Sequence, residues 1–392
     1  MTYDFDRVIN REGTFAAKYD ERVKNFGTDQ VIPLWVADMD FPTAPPVIEA
    51  LTRRAQEGIW GYTSRPASYF EAVCAWQERR NGWKIDPACC SYALGVIPAI
   101  GSMIQYMTNP GDKILIQSPV YGDFFDITND NSRVVVENKM IPSDDGTWHI
   151  DWADFEAKIK EVKMFLLCNP HNPLGIVWER EELERMVSLA MENHVILISD
   201  EIHSDLIFNG KKHIPAASLS AAAAGYVITC ISATKTFNMA GLQASTTVFP
   251  MVEMKNQFDR FWRNLEIHRN NAFSLIAVET AYREGEEWLE QLKVYLRENF
   301  QFVHDYCEQN IPGVKAHIPD ATYLMWLDCR GLGMDQEELV RFLVEKAGLG
   351  LSSGSGFGLD GFMRLNAACP RSVLERAMAQ LAQAVADRQR DV

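Results

Sequence analysis

The sequence predicts an α/β fold, a mostly parallel sheet sandwiched by helices, accompanied by a smaller α+β domain. Three observations carry that expectation: short apolar runs through the middle of the chain, a helix-spaced segment between two of them, and a different pattern at the ends. The runs are Lys113–Gln117, Val134–Val136, Met164–Cys168, Val195–Ser199 and Val227–Ile231. They lack the alternation of a half-exposed strand, as strands buried on both faces do. Glu179–Asn193 places Leu183, Met186, Val187, Ala190 and Met191 at helical spacing, with charges on the other side. Strand and helix in alternation imply a parallel sheet covered on both faces.

Toward the C-terminus, Gly285–Gln309 and Pro370–Arg390 read as long amphipathic helices, and Tyr323–Cys329 and Phe362–Leu365 between them as strands. The predicted division is a large domain over 46–284 and a small one built from 1–45 and 285–392.

Composition excludes several classes. The chain has 392 residues, 47% of them hydrophobic, enough for a full core. A net charge of −15 argues against non-specific nucleic-acid binding, which needs cationic surface. Met1–Asn10 is polar and has no apolar signal segment, and no apolar run approaches membrane-spanning length. The eight cysteines form no CxxC pair and no zinc spacing, so we expect a cytoplasmic protein with free thiols, no metal and no membrane partner.

Ligands in open α/β sheets sit at the carboxyl ends of the strands. Three polar clusters fall there. Ser232-Ala-Thr-Lys235 follows Val227–Ile231; a lysine in such a pocket can be desolvated and act as an amine nucleophile, while Ser232 and Thr234 could bind an anion. Taken alone, it reads more readily as an exposed lysine at a loop start. Ser199-Asp200-Glu201-Ile202-His203 offers a carboxylate, or simply a helix cap at Asp200. Cys168-Asn-Pro-His-Asn-Pro173 holds two Asn-Pro pairs, a rigid turn able to aim one amide or merely to reverse the chain. Together they set an amide, a carboxylate and a lysine on successive strand ends, the polar set a pyridoxal ring requires.

With Trp35-Val-Ala-Asp-Met-Asp-Phe41, Gly61-Tyr-Thr63, Gly95-Val-Ile-Pro98, Ser118-Pro-Val-Tyr121 and Phe362-Met-Arg-Leu-Asn366 in the same order, the chain resembles the fold-type-I pyridoxal 5′-phosphate (PLP) enzymes of the class I/II aminotransferase superfamily. It is most like their MalY/PatB-type C–S lyases. The resemblance implies that Lys235 holds PLP and moves the substrate's α-proton, that Asp200 pairs with the ring nitrogen, and that Asn172 donates to the ring oxygen, with His203 beside it. It places Tyr121 on the ring. The N–H groups of Val96 and Ile97, with Ser232 and Thr234, receive the phosphate. It gives Tyr62 to the phosphate of a neighbouring subunit in a homodimer, and Arg364 and Ala37 to the amino-acid substrate.

Two departures accompany it: His203 stands where many aminotransferases have tyrosine, and Gln243 where many have arginine. Both favour the lyase group. The implied reaction is α,β-elimination on cystathionine or a related S-substituted cysteine. A transaminase, or a regulatory binding protein with residual activity, are the alternatives. Gly354-Ser-Gly356-Phe-Gly358 lacks the GxGxxG spacing and reads as a small-domain loop near the site. Trp35, Trp60 and Trp76 read as core or interface, and His171 as structural at least as readily as functional.

Overall fold

A computed structural model describes residues 3–143 and 146–390. The termini of the predicted small domain, Met1–Thr2 and Asp391–Val392, lie outside the described residues, as do Asp144 and Asp145. The central sheet is made of β1 Cys90–Ala93, β2 Lys113–Ile116, β3 Val134–Glu137, β4 Met164–Cys168, β5 Ile196–Asp200, β6 Ile228–Ile231 and β7 Ser245–Val248. Its spatial order is β1-β7-β6-β5-β4-β2-β3. All pairs are parallel except those of β7, which runs antiparallel to both β1 and β6. The five predicted runs are β2 to β6, shifted by a residue or so at their ends.

Every residue of β4 is buried, and so is nearly every residue of β5, which explains the missing alternation. The helix Arg180–Glu192 buries Leu183, Met186, Val187 and Ala190 against the sheet and turns its charges outward. Its first turn carries Glu181 and Glu182, and a capping box between Glu179 and Glu182 satisfies backbone N–H groups there.

Glu286–Asn310 and Arg371–Arg390 are the two long helices near the C-terminal end. A second sheet pairs Leu324–Asp328 with Phe362–Asn366, flanked by Lys315–Ala316 and Ser352–Ser353. Ile32–Pro33 pairs in parallel with Leu349–Gly350, so the N-terminal segment joins the C-terminal third. Trp76 is fully buried, packs on Phe237 and Tyr282, and donates its indole N–H to Asp205 at 2.8 Å. Trp35 is half-buried and donates to the Lys18 carbonyl at 3.0 Å. Trp60 is exposed. Among the described residues no helix is long and apolar enough to cross a membrane, and all eight cysteines are free thiols.

Candidate active site

The strands β4, β5 and β6 are neighbours, so their carboxyl ends bring the three polar clusters together. They open on a cavity of about 310 Å³. Lys235, Asp200, Asn172 and His203 line it, as do Ala37, Tyr121, Thr234, Val96 and Ile97. The three clusters, spread over some seventy positions, thus meet because these strands lie side by side, and Ala37 joins them from the N-terminal segment.

Lys235 sits in the short helix Ala233–Thr236, which Ser232 caps by accepting the Thr234 N–H at 3.1 Å. Its Nζ donates to the Ala37 carbonyl at 2.6 Å. Burial, with the positive charge of Arg364 nearby, pulls its pKa down to about 8. A substantial fraction of this amine is neutral near physiological pH, whereas an ordinary surface lysine stays charged.

Asp200 ends β5, one residue further into the strand than predicted. It is followed by a turn and caps no helix; its Oδ1 accepts the Ile202 N–H at 3.1 Å. Burial pushes its pKa up to about 7, and the neighbouring Glu201 adds to the rise. Glu201 itself is fully buried but satisfied by His213 at 2.8 Å, by Ser199 at 2.9 Å and by the Ala216 N–H at 2.9 Å. It anchors the strand end from below, while Asp200 faces the cavity.

His203 is buried; desolvation and the cations Lys235 and Arg364 hold its pKa down to about 3, so the ring is neutral. Its Nδ1 has no hydrogen-bond partner. His171 is buried outside the cavity lining, with Nε2 at 3.0 Å from the Gln117 carbonyl and its ring edge-on to Trp178, a structural role. Tyr121 donates to Asp123 at 2.7 Å, which holds its ring in the cavity wall.

Arg364 is buried, and strand alternation does not turn it outward, because its sheet is covered on this face too. Its Nη1 donates to Asn172 Oδ1 at 3.2 Å and its Nη2 to the Trp35 carbonyl at 3.2 Å. The guanidinium lies over Phe357 at 4.6 Å, so the loop Gly354–Phe357 does reach the site. That loop is docked on the large sheet's side by the Val120 N–H, which donates to the Phe357 carbonyl at 3.0 Å. A side chain at Gly122 would come within 2.5 Å of the Gly356 carbonyl, so only glycine admits this approach.

The segment 35–41 forms the remaining wall. Asn366 donates to the Val36 carbonyl at 2.7 Å and the Asp38 carbonyl at 2.5 Å. From the other side Asn238 donates to the carbonyls of Met39 and Phe41 at 2.9 and 2.8 Å and accepts the Met39 N–H at 2.9 Å. Tyr323 donates to the Ala37 carbonyl at 2.8 Å, the same oxygen that receives Lys235. The sequence singles out neither Asn238 nor Tyr323 as a site residue; Tyr323 enters there only as the start of a strand.

Three predicted residues do not line the cavity: Ser232, Tyr62 and Arg364, the last of which reaches it through Asn172. Ser232 is behind the wall, its hydroxyl 2.8 Å from that of Thr234 and 2.6 Å from the Ala244 carbonyl. Tyr62 is 97% exposed and does not line this chain's own cavity.

The chain matches the family model described as "Aminotransferase class I and II" over residues 29–381. It belongs to the class I and II aminotransferase family. Cystathionine beta-lyase PatB of Bacillus subtilis is 38% identical over 96% of this chain and 98% of its own length. Protein MalY of Escherichia coli is 33% identical over 98% and 99% of the two chains. The PLP-bound C–S lyase from Staphylococcus hominis has a solved structure with a TM-score of 0.91 and 31% identity, covering 98% of each chain.

The cavity suits the cofactor of that relative. PLP carries an aldehyde, a pyridine nitrogen and a phosphate, which an amine, a carboxylate and an anion site can hold. The chain supplies Lys235, Asp200 and the start of the helix Val96–Met107. No side chain caps that helix, so its first N–H groups remain open to a phosphate. The unpartnered His203 Nδ1 marks polar capacity that the protein itself leaves unused.

Proposed function

We propose that this chain is a PLP-dependent C–S β-lyase, acting on cystathionine or a related S-substituted cysteine to give thiol, pyruvate and ammonia. The observation that carries it is Lys235, a buried amine with its pKa near 8, sharing one cavity with the carboxylate of Asp200. The lyase names of relatives alike over nearly the whole chain favour elimination over transamination.

PLP, when bound, supplies an electron sink for the charge that develops at the substrate α-carbon. Lys235 is the amine that would hold it covalently, and its Nζ, once free, would accept the α-proton. Asp200 would pair with the ring nitrogen and hold it protonated; such a positive partner would offset the burial that raises the Asp200 pKa. Asn172, the neutral His203 and Tyr121 line the same cavity; Asn172 and His203 would serve the ring oxygen, and Tyr121 would pack on the ring. Val96 and Ile97 N–H groups, with Thr234, receive the phosphate, and Ser232 orients the Thr234 hydroxyl. Arg364 grips the substrate α-carboxylate beside Ala37 and the 35–41 wall.

The test is pyruvate and thiol release from cystathionine by the purified protein with no keto acid added. A strict requirement for a keto-acid acceptor makes it a transaminase instead.

Arg364→Lys keeps the charge but loses the planar fork. It is expected to leave cofactor retention intact and to lower kcat/KM by roughly tenfold to a hundredfold. Wild-type kinetics in this variant would mean another group orients the carboxylate.

The same reading makes the active unit a homodimer, with Tyr62 reaching the partner's phosphate site. Its support is the exposed run Ile59, Trp60 and Tyr62, at 79%, 57% and 97%, a cluster of large apolar side chains that water alone covers poorly. Sedimentation should find a dimer, and Tyr62→Phe should release PLP more readily on dialysis. A fully loaded, active monomer excludes the shared site.

A further inference from the structure

A second cavity, of about 520 Å³, is lined by Arg65, Arg263, Arg269, His268, Asn270 and the 63–64 turn. No carboxylate lines it, although the chain carries a net charge of −15. The arginines bond only to neutral acceptors. Arg65 donates to Asn270 Oδ1 at 2.8 Å and to the His268 carbonyl at 3.3 Å, and Arg269 to the Thr63 carbonyl at 2.9 Å. Arg263 ends the helix Val252–Asn264, and its side chain has no hydrogen bond or ion pair among the described residues.

Arg263 and Arg269 are exposed at the pocket rim, whereas Arg65 at its floor is part-buried and held in place. Arg65 is sandwiched over the rings of Phe70 and Tyr92, at 5.4 and 4.9 Å, and burial lowers its pKa. Buried Asn270 fixes its direction. His268 Nδ1 is buried with no partner. The one carboxylate near Arg65, Asp259, is engaged with Lys255 at 2.6 Å and with Ser91. Three guanidinium groups facing one concavity give it a positive potential, and planar forks suit the oxygens of carboxylate and phosphate.

We propose that this pocket is an oxyanion-binding site, taking a carboxylate or phosphate group on Arg65, Arg263 and Arg269. It stands independently of the lyase reading. Arg269 also lies under the ring of Tyr62 at 5.8 Å, so the pocket adjoins the segment assigned to the subunit boundary. The oxyanion could therefore be free, or be the far carboxylate of a substrate such as cystathionine.

The test is calorimetric titration of the PLP-loaded protein with inorganic phosphate, the cofactor's own phosphate being already in place. Saturable uptake is expected, weakened at least roughly tenfold in the double variant Arg263→Gln/Arg269→Gln. Arg330→Gln, which alters an exposed arginine paired with Asp328, should bind as wild type. Steady-state kinetics separate the two sources. A substrate carboxylate predicts a raised KM for cystathionine but not for S-methylcysteine in the double variant. A free anion predicts that neither KM changes while phosphate binding is lost. The proposal is overturned if wild type takes up no phosphate, or if the double variant takes it up equally well. Failure of both substrates to react would sink the lyase reading and leave the calorimetry standing.

Discussion

Lys235→Ala is expected to abolish turnover, by on the order of 10³–10⁴-fold or more, because it removes the covalent anchor and the proton carrier together. No neighbouring group can substitute. The other base within the cavity, His203, is neutral but also hydrogen-bonding territory for the ring, and it does not supply an amine. After borohydride reduction the wild type should carry PLP on Lys235 in a peptide mass map, and the variant should carry none. The pH dependence follows from burial. Nucleophilic capture of an aldehyde by the cofactor-free protein should rise with pH, level off above about 8, and so lie well below the range of an ordinary lysine. An alanine variant that still forms the reducible adduct would refute the assignment.

Asp200→Asn should be the next most damaging change. The carboxamide cannot hold a positive ring nitrogen, so turnover should fall by roughly 10²–10³-fold, the scale of losing one buried electrostatic partner, while PLP is retained through Lys235 and the phosphate site. Steady-state pyruvate release against bound PLP absorbance checks both halves. Titration gives an independent reading. In the cofactor-free protein, the Asp200 pKa stands at about 7 against the usual 3.8. Between those values the folded state keeps a proton that the unfolded chain has released. The group's contribution to stability therefore falls as pH rises through 7, and the asparagine variant should lose that part of the pH dependence. Near-normal turnover in Asp200→Asn would reduce the carboxylate to a turn-forming residue.

The apolar runs revealed five of the seven strands because burial on both faces leaves a local signature. β1 and β7 escaped for a physical reason. Ser245, Thr246 and Thr247 are buried yet polar, and Cys90–Ala93 is neither long nor rich in branched side chains. The antiparallel pairing of β7 is likewise invisible to a local pattern. In the site, Lys235, Asp200 and Asn172 were legible because each follows a recognisable strand. Tyr323 and Asn238 were not, since what matters is their contact with residues 37–41, some two to three hundred positions away. Asn366 stood inside a recognised motif, but its hold on the 35–41 wall exists only in three dimensions. Ser232, expected at the phosphate, bonds to Thr234 and to the Ala244 carbonyl, contacts that no local pattern shows.

Arg364 is held by Asn172, Trp35 and Phe357 in the folded chain itself. Most of the rotamer entropy of a long side chain, on the order of 2 kcal/mol, is therefore surrendered when the protein folds and not when substrate binds. In the carboxylate-binding role proposed for it, Arg364 is a stiff receptor, and stiffness selects. Its Nε–H is buried and has no acceptor of its own. An amino acid whose carboxylate lies one methylene further from the amine cannot draw the guanidinium after it, so a β-amino acid analogue should compete poorly even though its charges are the same.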